Sequence, residues 1–369
     1  MKNLFLFLFS IILGLFISEL LVRYVFINEK LKLRIEANKS QFKDFQKLTW
    51  NTNTLSFIPQ SIGEVKHPEY KYTISHDKIG FRNPCSLFKK KSIKEIIIGD
   101  SFVYGVGVKD KNTLNCKIEN DNYTLGVPNS SPKCYLQLLE RHYSKIRQEF
   151  NLKGKINIHI ILYIGNDFEK LITFNDGCPT NEINQLQYNS DSFIKKINYI
   201  LTKGFLSEFY LPQIPKILYK NYKFKKKYKN INLIDKKYFL DNGNDTFYIN
   251  LNHINQDLLK KSIKKLHEGF KKIDKDNLDI YLYLMPSASD ISEDRLKRKS
   301  KISGFDYKVI NTDLKYNSIL NSCNELNIIC NDLRKFFIEK HYYYHDTHLN
   351  SDGVAILSKI INQNAKKIR

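Results

Sequence analysis

The chain has 369 residues, enough for one large hydrophobic core or two modest ones, and 42% of them are hydrophobic. This composition excludes a protein that is disordered as a whole. The formal net charge of +21 is typical of proteins that bind nucleic acid or anionic membranes. The lysines are, however, spread along the chain, and no RNA-binding or zinc-finger signature is present. We therefore expect a solvated basic surface and no nucleic-acid partner.

Residues 4–22 are almost continuously apolar, over about the length that a membrane span needs. A cleaved signal peptide would need a shorter apolar core and small residues at its cleavage site, where Ser18 fits but Phe16 does not. We predict an uncleaved transmembrane signal anchor over residues 1–23. Residues 24–70 are predicted to be a membrane-proximal segment, in which a helix is followed by irregular chain.

The sequence contains six cysteines, and none belongs to a C-x-x-C pair, which argues against a zinc ribbon or a thioredoxin-like site. An even number in an exported protein permits disulfides, but the sequence does not assign the partners. Cys323 and Cys330 flank and enter an apolar segment. A second interpretation makes these two cysteines small buried hydrophobic residues.

From residue 94 onward, short apolar runs alternate with helical patterns. This alternation predicts one α/β domain over residues 71–369, with a flavodoxin-like three-layer fold around a central parallel sheet of about five strands. The predicted strands are 96–98, 123–125, 156–164, 278–285 and 327–330, and the predicted helices are 132–150, 255–272, 311–325 and 351–368.

Residues 168–252 interrupt this alternation with many aromatic residues and with Pro212 and Pro215. We interpret them as an insertion over the carboxyl ends of the strands, acting as a lid or a surface contact. Within it, residues 220–228 are basic and aromatic, a composition that can bind an anionic membrane surface or a polysaccharide. The simpler interpretation of these residues is a solvated helix face.

The first strand of the pattern carries three isoleucines and is followed by Gly99, Asp100 and Ser101. The carboxyl end of a parallel strand is the edge where open α/β sheets bind ligands, so Ser101 is a candidate nucleophile. Asp100 is expected to support the turn by hydrogen bonding. The structural alternative is that Asp100 and Ser101 only cap a helix.

A serine hydroxyl needs a base to take its proton before it can attack a carbonyl group. His348 can be that base, and Asp346 can hold the imidazole in the useful tautomer and stabilise the imidazolium. A tetrahedral intermediate also needs hydrogen-bond donors for its oxyanion. The candidate donors are the backbone N–H groups of Ser101 and Gly126 and the side-chain amide of Asn166.

Structural and metal-binding alternatives stay open for several of these residues. Asn166 and Asp167 can cap a helix, and His348 can be a surface histidine. A metal cluster is a further alternative, although the loop character of residues 345–350 argues against a preformed zinc site. Its possible ligands are His341, His345, Asp346 and His348.

The order of these residues along the chain (serine, glycine, asparagine, then Asp-x-His) resembles that of the SGNH (GDSL-type) hydrolase superfamily, over roughly residues 71–360. The last block has the D-x-H form seen in membrane-anchored bacterial members, including those similar to alginate O-acetyltransferases, whereas many members have D-x-x-H. The matching segments are GDSF (99–102), LGVPNSS (125–131), GND (165–167), HDTHLNSDG (345–353) and, upstream, GFRN (80–83).

The resemblance implies an enzyme that acts outside the cytoplasm on acyl esters, often of cell-envelope carbohydrate, and that needs no cofactor or metal. We therefore predict a membrane-anchored serine ester hydrolase. One alternative is an O-acyltransferase for surface polysaccharide, with a multipass acyl-donor protein as its partner. Another is a non-catalytic anchored protein that binds carbohydrate or supports assembly.

The two indications of membrane orientation disagree. Lys30, Lys32 and Arg34 lie just after the predicted span, and positive charge favours the cytoplasmic side. The resemblance implies instead that the catalytic domain is periplasmic or extracellular. We predict a single-pass protein in the exported orientation.

Overall fold

The structure is a computed structural model of the chain. Most of the predicted insertion, including residues 220–228, Pro212 and Pro215, lies outside the described residues, as do the basic residues that follow the predicted anchor. The structure describes residues 2–26, 44–46, 50–67, 69–85, 93–150, 152, 154–175, 177–179, 214, 238–239, 246–248, 250–303, 306–344 and 346–367.

The strands and helices of the described residues are numbered here in chain order. The strands are β1 (Asp44–Gln46), β2 (Trp50–Asn51), β3 (Ser56–Phe57), β4 (Ile62–His67), β5 (Tyr70–Ser75), β6 (Glu95–Gly99), β7 (Asn122–Gly126), β8 (Ile156–Tyr163), β9 (Tyr238–Phe239), β10 (Thr246–Phe247), β11 (Leu278–Met285) and β12 (Cys330–Asp332). The α-helices are α1 (Lys2–Leu21), α2 (Ser101–Tyr104), α3 (Leu114–Lys117), α4 (Pro132–Glu149), α5 (Asp167–Thr173), α6 (Gln256–Ile273), α7 (Ala288–Ile291), α8 (Glu293–Ser303), α9 (Asp313–Glu325) and α10 (Ser351–Lys367).

The central sheet has five parallel strands in the spatial order β12-β11-β8-β6-β7. The first strand of the sheet in chain order, β6, therefore lies between the second, β7, and the third, β8. This is the flavodoxin-like strand order, in which the connections leave β6 and β8 in opposite directions. The prediction of an α/β fold with about five parallel strands is confirmed.

Helices cover both faces of this sheet. Successive side chains of a strand point to opposite faces. Ile96 and Ile98 belong to the core cluster that contains the buried residues of α4, α6 and α9, whereas Ile97 belongs to the cluster with those of α3 and α10. The predicted three layers are therefore present.

The last strand of the sheet begins later than the sequence predicts. The expected range was 327–330, but β12 covers Cys330–Asp332. Asn327 has a left-handed backbone, with φ of 54°, and its N–H donates to Asn324 O at 3.2 Å. Because a left-handed residue cannot continue an extended strand, this turn ends α9 and delays β12.

The segment before the α/β domain contains strands where the sequence predicted irregular chain after a helix. β4 and β5 pair antiparallel, β1 pairs with β4, and β2 pairs with β3. In β5, Tyr70, Tyr72 and Ile74 are buried and alternate with more exposed residues. This alternation is typical of a strand with one face on a core. The predicted domain boundary, between residues 70 and 71, falls after the first residue of this strand.

All six cysteines form disulfides. Cys323 is buried and Cys330 is partly buried against the same core, but the two also pair with each other, so they are not simply small hydrophobic residues. One disulfide joins the chain after GFRN to α3, a second joins α4 to the chain after α5, and a third joins α9 to β12. The pairs are Cys85–Cys116, Cys134–Cys178 and Cys323–Cys330.

The N-terminal helix α1 exposes large apolar side chains, with Phe7 and Ile12 exposed to 62% and 66%. Among the residues that the structure describes, no helix has both the length and the apolar character needed to cross a membrane. The transmembrane anchor therefore stays a prediction.

Candidate active site

The candidate residues lie at the carboxyl edge of the sheet, where the connections of β6 and β8 diverge. Ser101 follows β6 and is the first residue of α2, and Asn166 follows β8 and precedes α5. β6 and β8 are direct neighbours, with Gly99 paired to Ile161. In sheets of this strand order, ligands bind in the crevice at this point.

The turn that carries Ser101 is organised by Asp100. Asp100 is fully buried and occupies the N-cap of α2, and its Oδ1 accepts the Phe102 N–H at 3.0 Å. Gly105 ends the helix in the left-handed conformation, with φ of 79°. Ser101 is 8% exposed. The expected support of the turn by Asp100 is confirmed, and this short helix holds Ser101 at the sheet edge.

The loop after α2 is held by Arg82, which sequence reasoning did not select. Its guanidinium donates to the carbonyl oxygens of Tyr104, Gly105 and Val108 at 3.2, 2.5 and 2.7 Å. It also forms an ion pair with Asp110 at 2.8 Å. The only indication in the sequence was its place in the GFRN segment. A planar guanidinium can satisfy several carbonyls at once, which an ammonium cannot do in the same geometry.

Asp346 and His348 form a close pair. The His348 ring nitrogen Nδ1 lies 2.6 Å from Asp346 Oδ1, and the His348 backbone N–H donates to the same oxygen at 3.1 Å. The D-x-H spacing therefore lets one carboxylate oxygen hold both the ring and the backbone of the histidine. Burial alone would lower the pKa of His348, but the attraction of Asp346, helped by Asp100, outweighs it and raises the pKa above its usual value.

His348 lies against Phe102, the residue that follows Ser101. Its ring centroid lies 5.4 Å from that of Phe102. Because Phe102 directly follows Ser101, the predicted base lies near the turn that carries the predicted nucleophile.

Asn166 does not act as a helix cap through its side chain. It occupies the N-cap position of α5, but its side chain makes no capping hydrogen bond. Its Nδ2 instead donates to Asp100 Oδ2 at 3.4 Å. The neighbouring Asp167 accepts from Tyr163 N–H and from Tyr135 OH at 3.1 and 2.6 Å. The amide of Asn166 therefore lies beside the turn that carries the candidate nucleophile.

Gly126 has a packing role that explains why this position has no side chain. A Cβ atom at Gly126 would lie 2.2 Å from Tyr104 N and 2.6 Å from Val103 C. Both atoms belong to the backbone of α2, so neither can move as a side chain would. Glycine at 126 therefore permits α2 to lie directly on the end of β7.

The backbone N–H of Gly126 is directed away from β6. The Val127 N–H donates to Gly99 O in β6 at 3.1 Å, and the Thr124 N–H donates to Asn83 Oδ1 at 2.7 Å. N–H groups alternate in direction along a strand, so the Gly126 N–H is directed to the same side as that of Thr124. This geometry does not support Gly126 as an oxyanion donor.

One of the four possible metal ligands, His345, lies outside the described residues. His341 Nδ1 accepts the Ile338 N–H at 3.2 Å, and burial lowers the pKa of His341. Among the described residues there is no group of three or more side chains that could hold a metal ion.

Comparisons with known proteins assign no family. No protein-family model matches the chain, and no curated protein matches it. One solved structure, described as a "putative arylesterase" from Agrobacterium tumefaciens str. C58, matches with a TM-score of 0.36 and 9% identity, over 75% of this chain and 100% of its own. Another matches with a TM-score of 0.37 and 9% identity, over 75% of this chain and 98% of its own. Similarity at this level assigns no function.

The packing of Gly126 predicts that Gly126→Ala is destabilising. We expect a loss of about 1–3 kcal/mol in the free energy of unfolding, because the new Cβ has only backbone atoms to displace. The matched control is Gly177→Ala, whose Cβ would meet only the flexible end of Gln137 at 3.0 Å. Thermal unfolding of the full chain in detergent, followed by circular dichroism, measures both. Equal unfolding temperatures for the two variants would contradict the packing role.

Proposed function

We propose that the protein is a serine ester hydrolase of the SGNH type, with Ser101 as nucleophile, His348 as base and Asp346 as the carboxylate that orients it. One observation carries the proposal: the Asp346–His348 pair, at 2.6 Å, lies beside Phe102, the residue that follows Ser101. The order of motifs along the chain and their place at the carboxyl edge of a flavodoxin-like sheet also support it.

In the proposed reaction, Ser101 Oγ attacks the carbonyl carbon of the ester while His348 Nε2 takes the hydroxyl proton. Asp346 keeps the proton of Nδ1 in place and stabilises the imidazolium. The tetrahedral intermediate collapses to an acyl-serine, and His348 returns the proton to the departing alkoxide. Water then attacks the acyl-serine with His348 again as base, which releases the carboxylic acid and restores Ser101.

Two hydrogen-bond donors can stabilise the negative charge of the tetrahedral intermediate. The Ser101 N–H is in the first turn of α2, where N–H groups have no partner within the helix. The Nδ2 of Asn166 carries two hydrogens, and its 3.4 Å contact with Asp100 engages at most one of them. Loss of one such donor typically costs about 2.7–4 kcal/mol in the barrier.

The proposed substrates are acyl esters of cell-envelope carbohydrate, as the motif resemblance implies. The same acyl-serine could also be resolved by a sugar hydroxyl instead of water, so an O-acyltransferase would share every residue of this site. The two reactions differ in the acceptor, which the first experiment below can distinguish by its products.

The protein is also proposed to be anchored by α1, with its catalytic domain outside the cytoplasm. The exposed apolar side chains of α1 support the membrane contact. The three disulfides support export, because disulfides persist in oxidising compartments and are rare in the cytosol. They outweigh the positive charges at Lys30, Lys32 and Arg34, which favour the opposite orientation.

The nucleophile and base predict that Ser101→Ala and His348→Ala abolish ester turnover. We expect kcat for 4-nitrophenyl acetate to fall at least about a thousandfold in each, because serine and histidine act as a unit. The measurement uses the full chain in detergent. Matched controls are Ser318→Ala and His142→Ala, a serine and a histidine outside the site, which we expect to retain most of the activity.

Native turnover in Ser101→Ala would remove the proposed nucleophile. If the native protein forms an acetylated product only when a sugar is added, the reaction is transfer and not hydrolysis. A folded native protein that binds carbohydrate but has no turnover with or without an acceptor would favour the binding-protein alternative.

The raised pKa of His348 predicts the acid limb of the pH profile. The base must be neutral to take a proton, so kcat/KM should rise with pH through an apparent pKa above the usual value of about 6.5. In Asp346→Asn the attractive charge is lost while burial remains, so the limb should move to lower pH. The rate should also fall by roughly 10²–10⁴, because the useful tautomer is no longer held. The control Asp276→Asn, at an exposed position, should leave the acid limb in place. An unmoved acid limb in Asp346→Asn would contradict the pairing of Asp346 with His348.

The proposed orientation predicts that a reporter enzyme that folds only outside the cytoplasm is active when fused after residue 369. The same fusion without residues 1–23 should be inactive, because it lacks the export signal. Activity confined to a reporter that folds only in the cytoplasm would contradict the exported orientation.

A further inference from the structure

The carboxylate of Asp346 is held by a residue from the other end of the chain. Its Oδ1 contacts His348, and its Oδ2 accepts the hydroxyl of Tyr70 at 2.5 Å. The two residues are 276 positions apart. Tyr70 is the first residue of β5, in the sheet that precedes the α/β domain. The proposed catalytic carboxylate is therefore bound on both oxygens, by different parts of the chain.

The residue before Tyr70 holds the backbone of the same loop. Glu69 Oε1 accepts the Tyr344 N–H at 2.8 Å, and Glu69 Oε2 accepts the Asp346 N–H at 3.0 Å. On the other side, the Arg295 guanidinium donates to the carbonyl oxygens of Tyr343 and Tyr344, the former at 2.5 Å. The loop that carries Asp346 therefore has its backbone held from two directions, and Tyr70 holds the carboxylate itself from outside the loop.

Tyr70 is suited to be a permanent donor. It is 9% exposed, and burial, followed by the charge of Asp346, raises its pKa far above the usual value. The hydroxyl proton therefore stays on Tyr70 throughout the pH range in which the base would work. A hydrogen bond from a neutral donor stabilises the charged carboxylate. The partial positive charge on the hydroxyl hydrogen also offsets part of the attraction of the carboxylate for His348.

We propose that Tyr70 and Glu69 are positioning residues of the catalytic carboxylate. Tyr70 fixes the rotation of the Asp346 side chain and limits the attraction of its carboxylate for the His348 proton. Glu69 holds the backbone of the loop that carries Asp346. The inference rests on the proposed function, since positioning has meaning only if Asp346 and His348 catalyse. It also makes the segment that precedes the α/β domain a part of the active site.

The charged and titratable groups around the pair determine the direction of the expected shift. Without the Tyr70 hydroxyl, the full charge of Asp346 acts on His348, so the pKa of His348 should rise. The groups that face this pair include Asp100 at the start of α2, Glu69 in the turn between β4 and β5, Tyr72 on β5, and Tyr343 on the loop itself. None of them is removed by a change at Tyr70, and each is common to the native protein and the variant.

The test is Tyr70→Phe in the full chain, which removes only the hydroxyl. We expect kcat for 4-nitrophenyl acetate to fall about tenfold to a hundredfold, the rate equivalent of one hydrogen bond to a charged group. KM should stay within about twofold, because the hydroxyl does not contact the substrate. The acid limb of kcat/KM, and the pKa of His348 measured by NMR of ¹⁵N-labelled histidine, should move to higher pH.

The matched control is Tyr123→Phe. Tyr123 is also buried and donates to a carboxylate, Asp77, at 2.6 Å, but it lies in β7 away from the site. It should lose stability comparably, with the pKa of His348 unchanged. A second variant, Glu69→Gln, keeps one acceptor for the loop N–H groups and should lower kcat. Because it also removes a negative charge that faces the pair, the pKa of His348 should fall, opposite to the rise expected in Tyr70→Phe.

Two failures can be told apart. If the His348 pKa in Tyr70→Phe is unchanged or lower, or moves equally in Tyr123→Phe, the positioning inference is overturned whatever the turnover. If Ser101→Ala retains native turnover, the proposed function fails, and the NMR shift in Tyr70→Phe still decides whether Tyr70 controls the pair.

Discussion

The site depends on one buried carboxylate and the need to satisfy it. A carboxylate that leaves water is costly unless its oxygens are hydrogen-bonded. Asp346, 9% exposed, meets this need with the ring and the backbone of His348 on one oxygen and Tyr70 on the other. Each of these bonds fixes something else: the tautomer of the histidine, the shape of the Asp-x-His turn, and the position of the N-terminal sheet against the loop.

The N-terminal sheet and the α/β domain meet along the same edge. Tyr72 OH accepts the Gly107 N–H at 2.8 Å, and Tyr343 OH donates to Gly107 O at 2.5 Å. One residue of the loop that follows α2 is thus held by the N-terminal sheet and by the Asp346 loop together. Arg82 holds the carbonyls on either side of it. The nucleophile turn and the base loop therefore share supports, which explains how a short helix can stay fixed at a sheet edge.

Asp100 has a comparable role on the other side of the nucleophile. It caps α2, accepts from Asn166, and adds to the raised pKa of His348. A single buried carboxyl thus contacts or influences the turn, a candidate oxyanion donor and the base. This arrangement explains the presence of an aspartate in the GDS segment by its structural contacts, without a direct part in the reaction.

The sequence by itself determined the layers and the parallel strands, because buried strands and amphipathic helices leave a local periodic pattern. The same pattern placed Ser101 and Asn166 at strand ends, and Asp346 and His348 in the loop before the last helix. It did not determine the disulfide pairs, the direction of the Gly126 N–H, or the contacts of Arg82 and Tyr70. Partners such as Tyr70 and Asp346, 276 residues apart, leave no periodicity that a single sequence can reveal. Only the folded chain decides them, because such contacts depend on how separately formed elements pack at one sheet edge.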